Sequence, residues 1–460
     1  MPLRLPFLVA LGLTLSTVLP GAATPAAATP GSQPATRPAG SALEPYTALA
    51  LNFPGPLPNV KGMYPVTLAG PQSTNPGIAA KEITRLAPGL RVVLAGDVAQ
   101  GILDHPDDVC MTANGQPTTL QGVWPNAGPL AAAQRFDTWL KQFAAAGGSI
   151  DLLVVSAEED LAIWNMAEDR LTAITEDPRF PKVAKALGFA DARQAMLQRS
   201  PKAGEPARWN ALMSGVVSAA RRKAVLEPLH RYFPAAAMCN FNDLRIDEAH
   251  VAMGVLGQPW YTVGGPAGTH QSPALFGGAA PPQIEADWSR PYVQMIFAVN
   301  FVRCVSRSSN VPQIPWVPFK GLTVGGGFGG GDMYEEAVTH IMLSGGTTNV
   351  FFFNPLQPKE IPPGAKVPRF STPADAEALN SLMREVRREA GGKRIVAPVS
   401  VDPVRYDARF VVSAARLEDG STLCRITFAE TEGTAQIRVG GEVVKVDRPL
   451  GRTGVWMRIP

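Results

Sequence analysis

Ile150-Asp151-Leu152-Leu153-Val154-Val155 is an apolar run broken only by Asp151, and it is followed at once by Ser156-Ala157-Glu158-Glu159-Asp160. A strand with one face in water alternates apolar and polar residues. An uninterrupted run belongs to a strand covered on both faces, the usual situation in a parallel sheet flanked by helices. The preceding segment, Leu130–Ala146, fits that setting, because Phe136, Leu140 and Phe143 fall on one face at helical spacing.

The same alternation extends in both directions. Upstream, Tyr46–Phe53 reads as a strand, Gly77–Leu86 as a helix and Leu90–Asp97 as a strand, and a long loop follows before Leu130. Downstream come helical segments through Leu187 and from Trp209 to Arg231, then strand Ala235–Phe241 and a short strand-like run, Pro273–Phe276. Helix Tyr292–Ser306 leads to strand Gln313–Phe319, helix Met333–Ser344 to strand Thr348–Phe353, and Pro373–Glu389 is an amphipathic helix. An eighth strand is either Met63–Leu68 or Arg394–Val401. The expected class is α/β, a (β/α)8 TIM-like barrel over residues 45–392. A doubly wound sheet would gather its ligand groups at one switch point, whereas here polar residues end nearly every strand. From about Ile395 the texture becomes short alternating strands with turns at Glu418-Asp419-Gly420 and Gly440-Gly441, the pattern of a small all-β sandwich over 393–460.

The chain begins with Arg4, an apolar run Phe7–Leu13 and small residues at Gly21-Ala22-Ala23 and Ala26-Ala27-Ala28, which reads as a secretory signal peptide over 1–28. Residues 29–44 are rich in Pro, Ala, Thr, Ser and Gly and form a disordered linker. The expected address is secreted or periplasmic, with no membrane insertion after cleavage. The formal charge is +3, and +1 without Arg4 and Arg37, with no basic cluster, so nucleic acid is disfavoured as a partner. Cys110, Cys239, Cys304 and Cys424 show no metal-binding spacing; Cys239 and Cys304 sit in apolar runs and read as buried thiols. His105, His230, His250, His270 and His340 show neither HxH nor HExxH, which weakens a metal-dependent hydrolase; no cofactor is expected.

In a barrel the strand C-termini build the site. Glu158, Glu159 and Asp160 after Val155, with Trp164 close behind, suit glycosidic cleavage, in which one carboxyl protonates the leaving oxygen and an indole stacks on the sugar. Side chains alternate along a strand, so Glu158 and Glu159 cannot both face the pocket, and Glu158 is preferred. Asn240, Asn242 and Asp243 after Cys239 would bind hydroxyls or supply the second carboxylate, although Asn and Asp also favour turns. Asp97 ends its strand in the same ambiguous way. Tyr261 and His270 lie in the Gly/Pro-rich loop Gln258–Gln271, Trp316 and Lys320 lie near another strand end, and Asn354 precedes Pro355 at the rim. Gly325–Gly331 satisfies GxGxxG only because a glycine run satisfies any glycine spacing; Asp332 and Glu335 have the spacing of a capping box.

Taken together, Ile150–Trp164, Asn240–Asp243 and the stretch Asp332-Met333-Tyr334-Glu335-Glu336-Ala337-Val338-Thr339-His340 leading to Phe351-Phe352-Phe353-Asn354-Pro355 resemble secreted TIM-barrel glycoside hydrolases with a C-terminal β-sandwich. The resemblance is to the superfamily. It implies a carbohydrate substrate, a substrate contact from Tyr334, and a general-acid glutamate at Glu158, from families where a D-x-E pair ends a strand. Ser156 stands where that aspartate would be, which leaves Asp243 as the best second carboxylate. The rival reading from another class is a non-catalytic glycan-binding protein on a degenerate barrel.

Overall fold

The computed structural model describes residues 44–51, 63–86, 90–95, 98, 102, 105–121, 126–156, 173–186, 219–242, 270–273, 290–308, 312–318, 320, 333–353, 373–399, 404–430, 433–439 and 442–460. The leader and nearly all of the linker therefore lie outside the described residues.

Strands β1 (Thr47–Leu51) and β2 (Met63–Leu68) precede helix α1 (Pro76–Leu86). Asn75 starts that helix: its Oδ1 accepts the N–H groups of Gly77 (2.9 Å) and Ile78 (3.2 Å), and Pro76 occupies a first-turn position that needs no donor. Strand β3 (Val92–Ala95) comes next, then a hairpin of β4 (Val109–Met111) and β5 (Pro117–Gln121), then helix α2 (Ala127–Ala145). Strand β6 (Leu152–Ser156) is followed by α3 (Phe180–Ala186), a π-helical turn Arg222–Leu226 running into α4 (Glu227–Tyr232), and strands β7 (Ala237–Asn242) and β8 (His270–Pro273). Helix α5 (Pro291–Ser308), strand β9 (Trp316–Pro318), helix α6 (Tyr334–Gly345), strand β10 (Asn349–Phe353) and helix α7 (Pro373–Glu389) complete the α/β part.

Eight of these strands form one sheet in the order β8-β7-β6-β3-β2-β1-β10-β9, and every recorded pair in it is parallel. The strands lie in chain order except that the sheet's first, β1, sits beside its last, β10. Met63–Leu68 is thus the eighth strand, between β1 and β3, and the competing segment belongs elsewhere.

The two faces of the sheet are covered differently. Val93, Ala95, Leu153, Val155 and Met238 pack with α1, α2 and α4, and Ala48, Ala50, Val317, Val350 and Phe352 pack with α5, α6 and α7. Their neighbours of opposite parity, Leu49, Val66, Val92, Leu152, Val154, Ala237, Cys239, Trp316 and Phe351, share one cluster to which no described helix contributes. Among the described residues this second face, the inner face, is lined by the strands' own side chains.

Three segments differ from their sequence reading. Near the run read at Pro273–Phe276 a strand is recorded at His270–Pro273, and the remainder of that run lies outside the described residues. Within the strand read at Gln313–Phe319 the recorded strand spans Trp316–Pro318, preceded by an isolated bridge at Gln313, and Phe319 lies outside the described residues. Pro315 and Pro318 have no N–H to give a ladder, although Pro315 O accepts the Phe351 N–H at 2.9 Å. The long loop before α2 contains the β4–β5 hairpin.

At the C-terminus, β11 (Ile395–Pro398), β12 (Phe410–Leu417), β13 (Thr422–Phe428), β14 (Thr434–Val439), β15 (Glu442–Asp447) and β16 (Gly454–Ile459) form an antiparallel sheet ordered β11-β12-β13-β16 and a separate β14–β15 pair. Val411, Ala415, Leu417 and Leu423 share a core with α5, α6 and α7, while Ile426 and Phe428 on the opposite parity pack with Ala435 and Ile437 of β14. One face of the sheet is therefore laid on the helices and the other on the β14–β15 ribbon. Among the described residues no helix is long and apolar enough to cross a membrane.

Candidate functional site

Because all eight strands are parallel, their C-terminal ends share one rim. Inward phase at that rim is set by the side chains already buried inside: even-numbered residues in β6 (Leu152, Val154) and odd-numbered residues in β7 (Ala237, Cys239). These strands pair with Leu152 opposite Ala237 and Ser156 opposite Phe241.

Asp97, Glu158, Glu159, Trp164, Asp243, Tyr261 and Asn354 lie outside the described residues. Asn240 and Asn242 have described backbone in the last half of β7, at the rim. His270 opens β8, opposite Cys239, so it begins a strand instead of lying in the aromatic loop expected to contain it.

Three expected substrate contacts are placed otherwise. Trp316 is 3% exposed on the inner face and stacks on Phe351 with centroids 4.8 Å apart, so its indole is core packing. Tyr334 is 1% exposed and buried in the cluster formed with α5 and α7, so its side chain is core packing. Lys320 stays partly exposed beyond β9, and its Nζ donates to Glu335 Oε1 at 2.5 Å in the first turn of α6. That pair also replaces the expected capping box: the N-cap position is Met333, without a side-chain cap, and Glu335 serves Lys320 instead.

Two polar constellations were not visible in the sequence. The first holds the hairpin at the rim. Buried Asp108 accepts the N–H groups of Asn126 and Ala127 (3.0 Å each) and Gly128 (2.8 Å), which caps α2 from outside the helix. Asp177 accepts the Met111 N–H at 2.8 Å, and Arg179 donates to Val109 O at 2.7 Å while pairing with Asp177 at 2.6 Å. Burial works against ionisation of Asp177, but the Arg179 guanidinium and the Met111 and Arg179 N–H groups outweigh it and hold the carboxyl at about 2. The signal that marks this region is Asn114-Gly115, a hairpin dipeptide, with Gly115 at φ 75°.

The second constellation joins α6 to the C-terminal sheet. Glu336 accepts from Arg425 Nε at 2.9 Å and again from Nη2, and it also accepts from the Thr427 and Thr453 hydroxyls. His340, wholly buried, bonds Ser413 Oγ through Nδ1 (2.8 Å) and Thr427 Oγ1 through Nε2 (2.9 Å). Loss of hydration lowers its pKa to about 3, so the ring is neutral. The Arg425 guanidinium also lies over Trp456 at 4.9 Å, and the indole N–H reaches Glu385 Oε1 at 3.3 Å. This network fastens α6 to the C-terminal sheet.

No protein-family model matches the chain. No curated protein matches it either. Among solved structures it is similar to the catalytic domain of GH30 xylanase C from Talaromyces cellulolyticus, with 9% identity, 86% of this chain and 87% of that one covered, and a TM-score of 0.32. It is also similar to a GH27 β-L-arabinopyranosidase from Geobacillus stearothermophilus (9% identity, 83% and 76% covered, TM-score 0.35) and to an endo-β-1,6-glucanase (11%, 83% and 73%, TM-score 0.29). These neighbours are glycoside hydrolases at a likeness too low to carry an argument about this chain.

Proposed function

We propose that the parallel sheet closes into a (β/α)8 barrel and that the protein is a glycoside hydrolase acting on a poly- or oligosaccharide, with Glu158 as acid/base and Asp243 as its partner. Closure is supported by the inner face. A buried face that no described helix covers is best covered by the sheet curling onto itself, and residues as distant in strand order as Cys239 and Trp316 belong to one cluster there.

The catalytic assignment rests on register. The last recorded β6–β7 pair is Ser156 with Phe241; were that alignment to run on for two residues, position 158 would stand beside position 243, and both would continue the inward parity of Val154 and Cys239. Adjacent strands run about 4.8 Å apart, so carboxylates at those positions would stand near the roughly 5 Å separation of a retaining pair. Glu159 has the outward parity of Val155. Asp97, Asn240 and Asn242 have that of Ala95 and Met238, so substrate contact from them requires a turn that breaks the strand phase.

Like charges so close disfavour double ionisation, which keeps one carboxyl protonated to act as acid. Glu158 would give its proton to the glycosidic oxygen as Asp243 attacks the anomeric carbon and the leaving sugar departs. Glu158, now a carboxylate, would then take a proton from the water that displaces Asp243. Tyr261 and Trp164 would supply stacking surface.

Reducing-end release from a panel of plant, algal and bacterial glycans tests the reading, with Glu158→Gln, Glu159→Gln and Asp243→Asn alongside. Loss in Glu158→Gln and Asp243→Asn with activity kept in Glu159→Gln is expected. A panel with no cleavage but retained glycan binding would establish the binding-protein reading, which the Ser156 departure favours.

A further inference from the structure

The β4–β5 hairpin is inserted between β3 and α2, at the rim where the strand C-termini lie, and it adds only Cys110 to the core beneath. It is nevertheless rigidly tied. Met111 N–H and Val109 C=O point from the outer edge of β4, where a further strand would pair, and Asp177 and Arg179 take both of them. Asp108 joins the base of the hairpin to the start of α2, and the tip is closed by Gly115 N–H to Thr112 O and Thr112 N–H to Gln116 O, each 2.8 Å.

From Val109 to Gln121 the chain carries no charged residue. Its exposed polar side chains are amide and hydroxyl, those of Thr112, Asn114, Gln116 and Thr119, beside exposed Ala113 and Pro117. A solvated face ordinarily carries charge, and this one has none while its position is fixed by two buried carboxylates. Uncharged donor–acceptor groups on a fixed backbone match the hydroxyls of a neutral sugar chain and offer no cation to a carboxylated or sulfated one.

We infer that the hairpin is a glycan-binding arm at the rim, holding a neutral polysaccharide, and that Asp177 is its positioning residue. This rests on the glycan reading of the site but not on hydrolysis.

The test uses the full chain, the surface variant Asn114→Ala/Gln116→Ala/Thr119→Ala and the clamp variant Asp177→Asn. Binding is measured by affinity electrophoresis against arabinoxylan, a β-1,6-glucan and polygalacturonate, and KM and kcat are compared on a retained polymer and on its disaccharide aryl glycoside. The expected result is binding to a neutral polymer and not to polygalacturonate, weakened at least about fivefold in both variants. In turnover, KM for the polymer rises, with kcat on the short substrate unchanged. The surface variant alters no buried group, so it decides the matter even if Asp177→Asn misfolds. Wild-type-like binding by the surface variant, preference for polygalacturonate, or no binding to any of the three would overturn the arm. Hairpin-dependent binding without cleavage would keep the arm and remove hydrolysis; cleavage with hairpin-independent KM would do the reverse.

Discussion

Asn349 Nδ2 donates to Thr47 Oγ1 at 2.8 Å, joining the last strand of the parallel sheet to the first across 302 residues of chain. The same amide reaches Glu44 O at 2.9 Å, and Asn349 and Thr47 are direct register partners. Both are buried at the N-terminal ends of their strands. Truncation to Asn349→Ala removes both amide donations and the acceptor of the buried Thr348 hydroxyl, although the Thr47 hydroxyl keeps its own bond to Glu44 O at 2.7 Å, and should cost about 1–3 kcal/mol. Urea unfolding should show that loss, and Asn349→Asp, which cannot donate, should not recover it; an unchanged midpoint for both would mean the β1–β10 junction is held by its backbone ladder alone.

The Glu336–Arg425 pair is nearly enclosed, with side-chain exposures of 6% and 13%. A buried pair gives little net stability against an apolar substitute, but breaking it strands a charge. Arg425→Ala should therefore cost about 3–5 kcal/mol. The double variant Glu336→Gln/Arg425→Met should cost clearly less than that single change, because no charge is left behind. Equal losses in the single and double variants would show that shape at Trp456, not charge, dominates.

Acid should weaken the same junction. His340 faces Glu336, Arg303 and Arg425 and binds protons only near pH 3, whereas in the unfolded chain it does so near 6.5. As pH falls below about 6.5 the unfolded state takes up a proton the folded state refuses, and stability declines toward pH 3. Burial pushes the Glu336 pKa up, yet Arg425 and the Thr427 hydroxyl leave it below 4.5, so its contribution, present above that value, is lost as pH drops further. Urea midpoints from pH 7 to 4 should fall in the wild type, with a shallower slope between 6.5 and 4.5 in His340→Gln. Parallel slopes would assign the acid loss elsewhere.

Helix α6 stops at Gly346, which has φ 61° while Thr347 N–H returns to Met342 O at 3.0 Å. A Cβ there would strike the ring and backbone nitrogen of Pro398 in β11. Gly392 has φ 77° and open space around the equivalent position. Gly392→Ala should cost only the left-handed backbone penalty of about 1–2 kcal/mol, and Gly346→Ala distinctly more, in thermal unfolding. If the two variants melt together, β11 yields without strain.

How far these features could be read in advance depended on where their determinants sit. Leu152–Val155 announces a doubly covered strand by itself, and α7 matches its sequence reading from Pro373 to Glu389 because its apolar face and its ends are local signals. Met63–Leu68 could not be separated from Arg394–Val401, since Pro65 spoils its strand pattern and only its neighbours β1 and β3 decide the matter. The hairpin strands are three and five residues long, too short for alternation to stand out, and Asn114-Gly115 was the one legible mark. Trp316 and Lys320 were found by the strand-end rule, which reports height along the strand and not facing; Phe351 and Glu335 claim them. Glu336 needs Arg425, 89 residues away, and no local pattern reveals such a partner.

For the proposed hydrolase, the β6–β7 register predicts the stereochemistry of cleavage. An inverting pair needs a water between its carboxylates and stands about 6.5–9.5 Å apart; a retaining pair stands at about 5–5.5 Å, because one group must reach the anomeric carbon itself. Were the parallel alignment of Ser156 with Phe241 carried on by two residues, as proposed, 158 and 243 would be lateral neighbours, closer to the second distance than to the first. The first-formed product should therefore keep the anomeric configuration of the substrate. Proton NMR of the anomeric signals in the opening minutes of turnover, before mutarotation, reads this directly. In Asp243→Asn or Asp243→Ala the covalent step is lost, and azide should restore turnover to the alanine variant with an inverted glycosyl azide as product. An inverted sugar from the wild type would place the partner carboxylate across the barrel, on a strand other than β7, and Asp243 would lose its assignment.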